Sequence, residues 1–567
     1  MVAFAFIPLI LAGVYPLPSW AAPLAGLTTT ASVQGIPVFP PVNLGLPNLC
    51  ALPIISEICA RVLALSDQVT TPLGVAQGTS DGTGANRFAV RYASAERWAA
   101  STVATKWALP NGSTNASALP LACPQPEVDP STYTEDCLSM ILYVPTTLNA
   151  NSGVPTLVWI HGGSFISGSA TGPGLDGSKL AIATNSIVAV MQYRLGALGF
   201  MAPNGATNLA VQDAINAMKF LEKVVPSFGG SASKITLAGQ SSGAGLIRAL
   251  LATPSASSLF QSAILQSDPI DYGFLNASTQ TLLQSSFNQL IGCTASDMSC
   301  QKALSVDDII NAQVTLGDNA PNIDPSTGSA EPIRPVRDGS LITTPLDLTA
   351  SPFPSVTKPI LLSNVKNEAG PTIYGMFTES IGSSLFAPVC DASLGTDRTA
   401  VVLNSSFYNL TGVSDIRVPL EELGTDYVWR CPTWSLARSW VGHGGKAFVG
   451  VYVTGATYPA NSDIPFCTEA GSVCHQDDIE IVFGTVPSPS AAQAALTKEM
   501  QARYKAFLTT GSPNAAGFSV WTEATTSGVN AHQLGGTPSP SGQVPVGACE
   551  PSFWGAAVDY DYQVYGI

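Results

Sequence analysis

A serine held between glycines ends an apolar, β-branched segment, "KITLAGQSSGAG", at residues 234–245. The pattern is Gly239-x-Ser241-x-Gly243. Glycines at these positions allow a sharp strand-to-helix turn that presents the serine as a nucleophile at the top of a sheet. The same letters also occur in ordinary Ser/Gly loops. The helical pattern of apolar residues from Leu246 onward favours the nucleophilic turn.

A second glycine motif, "WIHGGSF", follows the apolar run "TLVWI" directly. Acyl transfer to a serine needs backbone N–H donors around the oxygen that becomes negative. Gly162 and Gly163 allow the backbone to turn its amides inward. We therefore predict an oxyanion hole made by the N–H groups of Gly163, Ser164 and Ser242.

An acid and a base must complete such a site, and in α/β-hydrolases they follow the serine in the order Asp/Glu, then His. Glu368 follows the apolar run "PILLSNV" and precedes a glycine, so it is the candidate acid. Three histidines follow the serine in the chain: His443, His475 and His532. Spacing favours His475, which lies after the apolar run 447–453, but leaves the other two open.

Continuous apolar runs indicate the elements that would position these residues. Such runs are typical of parallel strands buried on both faces. They lie at 140–145, 156–160, 186–193, 234–239, 262–267, 359–365 and 447–453. A helical pattern at 208–225, followed by Pro226, separates two of them. The sequence predicts an α/β fold with a large, mostly parallel sheet, ligands at the carboxyl ends of its strands, and a loop-rich insertion at 270–355 over the site.

Composition limits the class of protein. The 567 residues are 46% hydrophobic and 11% charged, with a net charge of −15. We expect one large catalytic domain over 69–567, preceded by a Pro-rich extension over 22–68. An acidic, sparsely charged surface repels phosphate backbones, so a nucleic-acid partner is not expected.

The first 21 residues are short, apolar and rich in proline, although they lack a Lys or Arg. They predict a secretory signal peptide rather than a membrane-spanning helix, so stable membrane insertion is not expected. Five N-x-S/T sequons fit a secreted, extracellular glycoprotein; they lie at Asn111, Asn115, Asn276, Asn404 and Asn409.

Cysteine spacing agrees with export. Closely spaced cysteines in an exported chain predict disulfides. The close pairs are Cys50–Cys59, Cys123–Cys137, Cys293–Cys300 and Cys467–Cys474. The chain has no C-x-x-C spacing and only four histidines, so a zinc cluster is not expected.

The sequence resembles the type-B carboxylesterase family, which includes cholinesterases, fungal lipases and secreted fungal esterases. The resemblance runs from about residue 69 to 557. It is carried, in the family's order, by "TPLGVAQGTS", "FAVRYASAERW", "TEDCLSMILYVP", "WIHGGSF", "QYRLGALGF", "FGGSASKITLAGQSSGA", "AILQS", "KNEAG", "CHQDDIEIVFG" and "CEPSFW".

The resemblance implies an α/β-hydrolase with a Ser-Glu-His triad, which maps to Ser241, Glu368 and His475. It implies a buried serine, Ser267, bonded to the acid–base pair, and it requires no metal or cofactor. It also implies a disulfide and an ion pair, namely Cys431–Cys549 and Arg97–Glu135. With that disulfide and the close pairs formed, Cys390 is left unpaired.

Three positions depart from the family's pattern. Gln240 replaces a Glu, Ser242 replaces an Ala and Gln476 replaces a Gly, and each reshapes the pocket without removing a triad member. The resemblance implies a secreted serine carboxylesterase acting on small-molecule or polymeric esters. A triglyceride lipase and a non-catalytic adhesion or binding protein remain as alternatives. The segment 124–136 is too short for a mobile helical lid of several turns, so an open site is expected.

Overall fold

The computed structural model describes residues 67–554, apart from positions 81, 329, 345, 347–357, 538 and 540. The predicted signal peptide, nearly all of the extension over 22–68 and the predicted Cys50–Cys59 disulfide lie outside these residues. Among the helices of the described part of the chain, none combines the length and apolar character needed to cross a bilayer.

A ten-stranded sheet forms the centre of the molecule. Its strands are β1 (Thr79–Ser80), β2 (Ala85–Arg91), β3 (Ser139–Pro145), β4 (Val154–Ile160), β5 (Ile187–Met191), β6 (Gly230–Gln240), β7 (Ser262–Gln266), β8 (Pro359–Val365), β9 (Lys446–Tyr452) and β10 (His532–Leu534). Their spatial order is β10-β9-β8-β7-β6-β4-β5-β3-β2-β1. The pairs from β10 to β5 are parallel and those from β5 to β1 are antiparallel, which confirms the predicted, mostly parallel sheet.

The register of the strands explains why the glycine motifs and the candidate acid lie at one edge of the sheet. In the parallel pairs, Gly239 of β6 lies opposite Ile160 of β4, and Gln240 lies opposite Gln266 of β7. Val365 of β8 lies opposite Tyr452 of β9. Because parallel strands end on the same side, the segments after β4, β6, β8 and β9 all leave from the carboxyl edge.

Helices cover the two faces of this sheet. They are α1 (Ser178–Thr184), α2 (Gly196–Phe200), α3 (Leu209–Val224), α4 (Ser242–Leu251), α5 (Ala277–Leu290), α6 (Met298–Ala303), α7 (Val306–Ile323), α8 (Gly370–Met376), α9 (Phe386–Leu394), α10 (Thr396–Leu403), α11 (Arg417–Gly424), α12 (Cys431–Gly442), α13 (Pro465–Thr468), α14 (Ile479–Phe483) and α15 (Ala491–Thr510). Strands β3, β4, β5 and β7 are buried along their whole length, as the unbroken apolar runs predict.

The insertion at 270–355 differs from the loop-rich segment expected. It contains helices α5, α6 and α7, and α5 and α7 pack against each other. Ser305 and Asp308 form a capping box that starts α7. The buried side chains recur at helical spacing, as with Leu283 and Phe287 in α5, but the intervening residues are polar. Amphipathic helices of this kind lack the continuous apolar runs that identified the strands, so the sequence did not predict them.

Four disulfides tie the described chain together. They are Cys123–Cys137, Cys293–Cys300, Cys431–Cys549 and Cys467–Cys474, and Cys390 is a buried free cysteine. The Cys431–Cys549 bridge spans 118 residues and fixes the C-terminal region to α12. Arg97 and Glu135 form the expected ion pair, with Nε to Oε2 at 2.8 Å.

Candidate active site

Ser241 stands on the sharp turn between β6 and α4. Its φ of 56° and ψ of −131° are strained for a residue with a side chain. A Cβ on Gly243 would lie 2.2 Å from the carbonyl oxygen of Ile160, and a Cβ on Gly239 would lie 2.8 Å from the same atom. Only glycine fits at either position, because β4 approaches the turn so closely.

The candidate acid and the candidate base, Glu368 and His475, are in direct contact. Glu368 leaves the carboxyl end of β8, and its Oε2 lies 2.6 Å from Nδ1 of His475. Its second oxygen, Oε1, accepts a hydrogen bond from the backbone N–H of Val365 at 2.8 Å. Glu368 is 1% exposed. A carboxylate held in this way fixes the orientation of the imidazole and the position of its Nδ1 proton.

Hydrogen bonds join the segment that carries Glu368 to the segment that carries His475. The N–H of Asn367 donates to the carbonyl of Val473 at 2.9 Å, and the N–H of Val473 donates back to Oδ1 of Asn367 at 3.1 Å. Asn461 Nδ2 donates to the carbonyl of His475 at 2.8 Å. The Cys467–Cys474 disulfide closes the same loop. These contacts fix the positions of the Glu368 and His475 side chains relative to each other.

The electrostatic environment favours a basic imidazole. Burial of His475 opposes its charged form, but the hydrogen bond and the charge of Glu368 outweigh burial and raise the pKa of His475. Asp478 and Glu331 add negative charge that acts in the same direction. The indole of Trp429 packs against the imidazole, with ring centroids 5.5 Å apart.

Gln240, the residue before Ser241, contacts Nε2 of His475. Its Nε2 lies 3.1 Å from Nε2 of His475. With the Nδ1 proton directed at Glu368, Nε2 of the imidazole is an acceptor and the Gln240 amide donates to it. Within the described residues, the Ser241 hydroxyl makes no hydrogen bond with His475. Proton transfer from Ser241 requires its hydroxyl to lie within hydrogen-bond reach of this nitrogen.

The glycine loop after β4 lies directly against the serine. A Cβ on Gly162 would lie 2.9 Å from the Cβ of Ser241, and one on Gly163 would lie 2.3 Å from the carbonyl oxygen of Ser167. Gly163 has a φ of 116° and Ser164 one of 53°. In the described part of the chain, the N–H groups of Gly163, Ser164 and Ser242 donate to no protein acceptor, so all three are available for an oxyanion.

His161, the first residue of this loop, packs against Tyr193. Its ring stacks on Tyr193, with centroids 4.7 Å apart, and the Tyr193 hydroxyl donates to the carbonyl of His161 at 3.0 Å. Burial lowers the pKa of His161 to about 4, so the ring is neutral. A neutral ring beside the turn at Ser241 adds no positive charge that would lower the pKa of His475.

Two other histidines and the buried serine lie in different settings. His443 follows α12, and its Nδ1 lies 2.8 Å from the carbonyl of Ser439. His532 belongs to the edge strand β10, where burial and Arg503 lower its pKa to about 4. Ser267 is fully buried with a φ of 50°, but among the described residues its hydroxyl has no hydrogen-bond partner. The bond to the acid–base pair implied by the resemblance is therefore not formed here.

Three neighbours of the site were missed from the sequence: Glu331, Trp429 and Asp478. Glu331 comes from the insertion and Trp429 from a π-helical turn, Thr425–Arg430, so no short motif marks them. Burial raises the pKa of Glu331 to about 7 and that of Asp478 to about 6. π-Helical turns are frequent at functional sites, but only the structure reveals this one.

Potential metal ligands cluster once within the described residues, at Asp426, Cys431 and Cys549. Both sulfurs form the Cys431–Cys549 disulfide, so neither is a free thiolate. Asp426 pairs with Arg430 and accepts a hydrogen bond from Tyr408 at 3.0 Å. This cluster is therefore built as a structural brace rather than as a metal site.

Sequence and structure comparisons identify proteins that this chain resembles. The chain matches the family model described as "Carboxylesterase family" over residues 66–544. It is 30% identical to the "cAMP-regulated D2 protein" of Dictyostelium discoideum over 53% of this chain and 55% of that protein. It is 32% identical to "Para-nitrobenzyl esterase" of Bacillus subtilis (strain 168) over 41% of this chain and 51% of that protein. The chain thus spans about half the length of these relatives.

A solved structure titled "PNB esterase" shares the fold, with a TM-score of 0.66. The superposition covers 82% of this chain and 95% of that structure at 23% identity. The likeness confirms the predicted α/β-hydrolase architecture. The family match over most of the chain confirms the resemblance inferred from the motifs. The chain therefore belongs to the carboxylesterase family.

Proposed function

We propose that this protein is a secreted serine carboxylesterase that hydrolyses carboxylic esters through an acyl-enzyme on Ser241. The observation that carries the proposal is the 2.6 Å contact between Glu368 and His475 beside the strained serine turn. A carboxylate, an imidazole and a nucleophile in this order are the working parts of serine acyl transfer.

In the first half of the reaction, Nε2 of His475 takes the Ser241 proton while Oγ attacks the ester carbonyl. The carbonyl oxygen becomes negative and is held by the N–H groups of Gly163, Ser164 and Ser242. Glu368 stabilises the imidazolium that forms. The imidazolium then protonates the leaving alcohol, and the acyl group stays on Ser241.

In the second half, water takes the place of the alcohol. His475 removes a proton from the water, which attacks the acyl carbonyl in the same oxyanion hole. The carboxylic acid leaves and Ser241 recovers its proton. Each step uses side chains and amides of the chain itself, with no group that requires a cofactor or a metal.

Several features support export of the enzyme. Four disulfides tie the fold, and disulfides persist in oxidising compartments. The sequons at Asn111 and Asn115 lie on an exposed segment, where glycans would find room. Secretion is tested by expressing the full chain in a eukaryotic host and measuring esterase activity and glycan mass in the medium.

The segment 124–136 favours an esterase over a lidded lipase. The Cys123–Cys137 disulfide joins its two ends, and Ala122 and Tyr133 form an isolated β-bridge. The Tyr133 hydroxyl donates to Asp307 of α7 at 3.0 Å. A segment held by a disulfide at its ends and by a hydrogen bond from Tyr133 to α7 has little freedom to open and close over a site.

The reaction is tested with a panel of esters from acetyl to long-chain acyl, including aryl and polymer esters. Wild-type protein should hydrolyse short soluble esters, and Ser241→Ala should lower kcat by roughly 10⁴–10⁶-fold with an unchanged circular dichroism spectrum. Turnover by Ser241→Ala at a rate near wild type would refute the nucleophile. An inert wild-type protein would favour a non-catalytic binding role.

A further inference from the structure

The turn that carries His475 has an unfavourable backbone conformation. Residues 474–477 form this turn, which is closed by a hydrogen bond of 3.0 Å from the N–H of Asp477 to the carbonyl of Cys474. Gln476, the third residue of the turn, has a φ of 78°. Glycine is favoured at the third position of turns with a positive φ there, because a side chain makes that conformation costly. The backbone beside the candidate base is therefore strained, and other contacts have to hold it.

The side chain of Asp477 supplies such contacts. Its Oδ2 accepts a hydrogen bond from the N–H of Cys474 at 2.7 Å, so the carboxylate joins the last residue of the turn to the first. Its Oδ1 accepts hydrogen bonds from the N–H of Tyr458 at 2.8 Å and from Nδ2 of Asn461 at 2.9 Å. Asp477 is 1% exposed. Three N–H donors thus compensate the loss of water around this carboxylate.

Asn461 connects the same carboxylate to the backbone of the base. Its Nδ2 donates to Oδ1 of Asp477 and also to the carbonyl of His475, the second contact at 2.8 Å. The backbone carbonyl of Asp477 accepts a further hydrogen bond, from the N–H of Ala456 at 2.8 Å. The turn at His475 is therefore fixed to the segment 456–461, which follows β9.

The conformation of this turn determines where the imidazole lies. His475 is the second residue of the turn, and its Nδ1 lies 2.6 Å from Oε2 of Glu368, which comes from β8. One segment therefore places the base while another places the acid. If Gln476 relaxed to a negative φ, the imidazole would move relative to both Glu368 and Ser241. A displacement of about 1 Å from a productive geometry can lower a rate by roughly 10²-fold.

We propose that Asp477 is a positioning residue whose carboxylate holds the turn at residues 474–477 in the conformation that places the His475 imidazole against its acid. The proposal deepens the proposed esterase function and rests on it. Because Asp477 acts through the backbone of the turn, its removal should impair proton transfer more than it impairs substrate binding.

The test replaces the carboxylate with an amide of the same shape. In Asp477→Asn an NH₂ group replaces one oxygen, so at least one of the three N–H donors loses its acceptor. Kinetics are measured above the pKa of about 7 to which burial raises the Asp477 carboxyl, so that the wild-type group is ionised. We expect kcat for a soluble ester to fall by about 10–10²-fold, with KM within about threefold of wild type. Asp463→Asn is the matched control, because it removes a charge from an exposed residue close to Asn461 in the chain, and both constants should stay unchanged.

Two further measurements distinguish positioning from a general effect on folding. The proton shared by His475 Nδ1 and Glu368 in so short a hydrogen bond resonates far downfield in the NMR spectrum, and Asp477→Asn should move this resonance upfield. Gln476→Gly removes the strain that the carboxylate resists. Added to Asp477→Asn, it should recover kcat by about 3–10-fold, a larger factor than the same change gives in wild-type protein. Titration to completion with an organophosphate counts the intact sites in each variant.

Four results would overturn the proposal. They are a kcat for Asp477→Asn within about twofold of wild type, a loss confined to KM, an unmoved downfield resonance, and no recovery on adding Gln476→Gly. If Asp477→Asn does not fold, Asn461→Ala decides, because it removes one donor to the carboxylate and the contact with the His475 carbonyl. It should lower kcat and move the resonance in the same direction, and the absence of both changes would overturn the proposal. Failure of the proposed function would look different, since wild-type protein would then hydrolyse no ester.

Discussion

Gln240 offers a direct way to perturb the base of the site. The change Gln240→Glu places a carboxylate oxygen about where the amide nitrogen now lies, 3.1 Å from Nε2 of His475. At that separation two unit charges attract by roughly 5 kcal/mol for an effective dielectric constant of 20. Gln240 is fully buried, so desolvation of the new carboxylate offsets a large part of this attraction.

The net effect should be a rise of about 1–3 units in the pKa of His475. His475 works as a base only when it is unprotonated, so a higher pKa moves the acidic limb of the pH–rate profile upward. We expect the limb of kcat/KM to shift to higher pH by the same 1–3 units. One unit below the new pKa, the rate should be about a tenth of its plateau, and the plateau should return at higher pH.

The assay is kcat/KM against pH for a soluble ester, with the released alcohol measured by chromatography. Gln493→Glu is the control, because it adds the same charge at the N3 position of the α15 capping box, where Glu can also accept the hydrogen bond from the N–H of Ser490. This control loses the hydrogen bond from Gln493 Nε2 to the carbonyl of Gly455 but lies outside the candidate site. The control should leave the profile in place. An acidic limb for Gln240→Glu that coincides with wild type, in an enzyme that still turns over, would refute the inferred contact between residue 240 and the base.

Other perturbations test separate parts of the site. Gly163→Ala should lower kcat by about 10²–10³-fold, since its Cβ would collide with Ser167 and displace an oxyanion donor; kinetics within a factor of a few of wild type would argue against that role. His475→Ala should abolish turnover while His443→Ala leaves it, as measured by p-nitrophenyl acetate hydrolysis, and the reverse result would reassign the base. Rates on tributyrin should rise smoothly through its solubility limit, because segment 124–136 is fixed, and a jump there would indicate a lipase.

The parts of the fold that the sequence predicts well are those with strong local signals. The strands β3 to β9 coincide with unbroken apolar runs, because a strand buried on both faces has no polar alternation to obscure it. The turn at Ser241 is predicted equally well from the sequence, because a side chain at position 239 or 243 would collide with β4 and only glycine fits there. Element order then places Glu368 after β8, where the acid was expected.

The features that escaped prediction depend on tertiary contacts. Gln240 and His475 are 235 residues apart, and nothing local shows that the amide would face the imidazole. Glu331 lies in a segment without a periodic pattern, so nothing local shows that its charge would act on His475. The hydrogen bond expected between Ser267 and the acid–base pair is absent among the described residues. A resemblance predicts the residue type at a position but not the direction of its hydroxyl.

The most direct test of the central proposal is covalent trapping of the nucleophile. Wild-type protein is treated with diethyl p-nitrophenyl phosphate, and the digested protein is mapped by mass spectrometry. We predict one diethylphosphoryl group per chain, on the peptide that carries Ser241, with stoichiometric release of p-nitrophenol and matching loss of esterase activity. Full inactivation with the label on another residue, or undiminished activity with Ser241 fully labelled, would contradict an acyl-enzyme mechanism at Ser241.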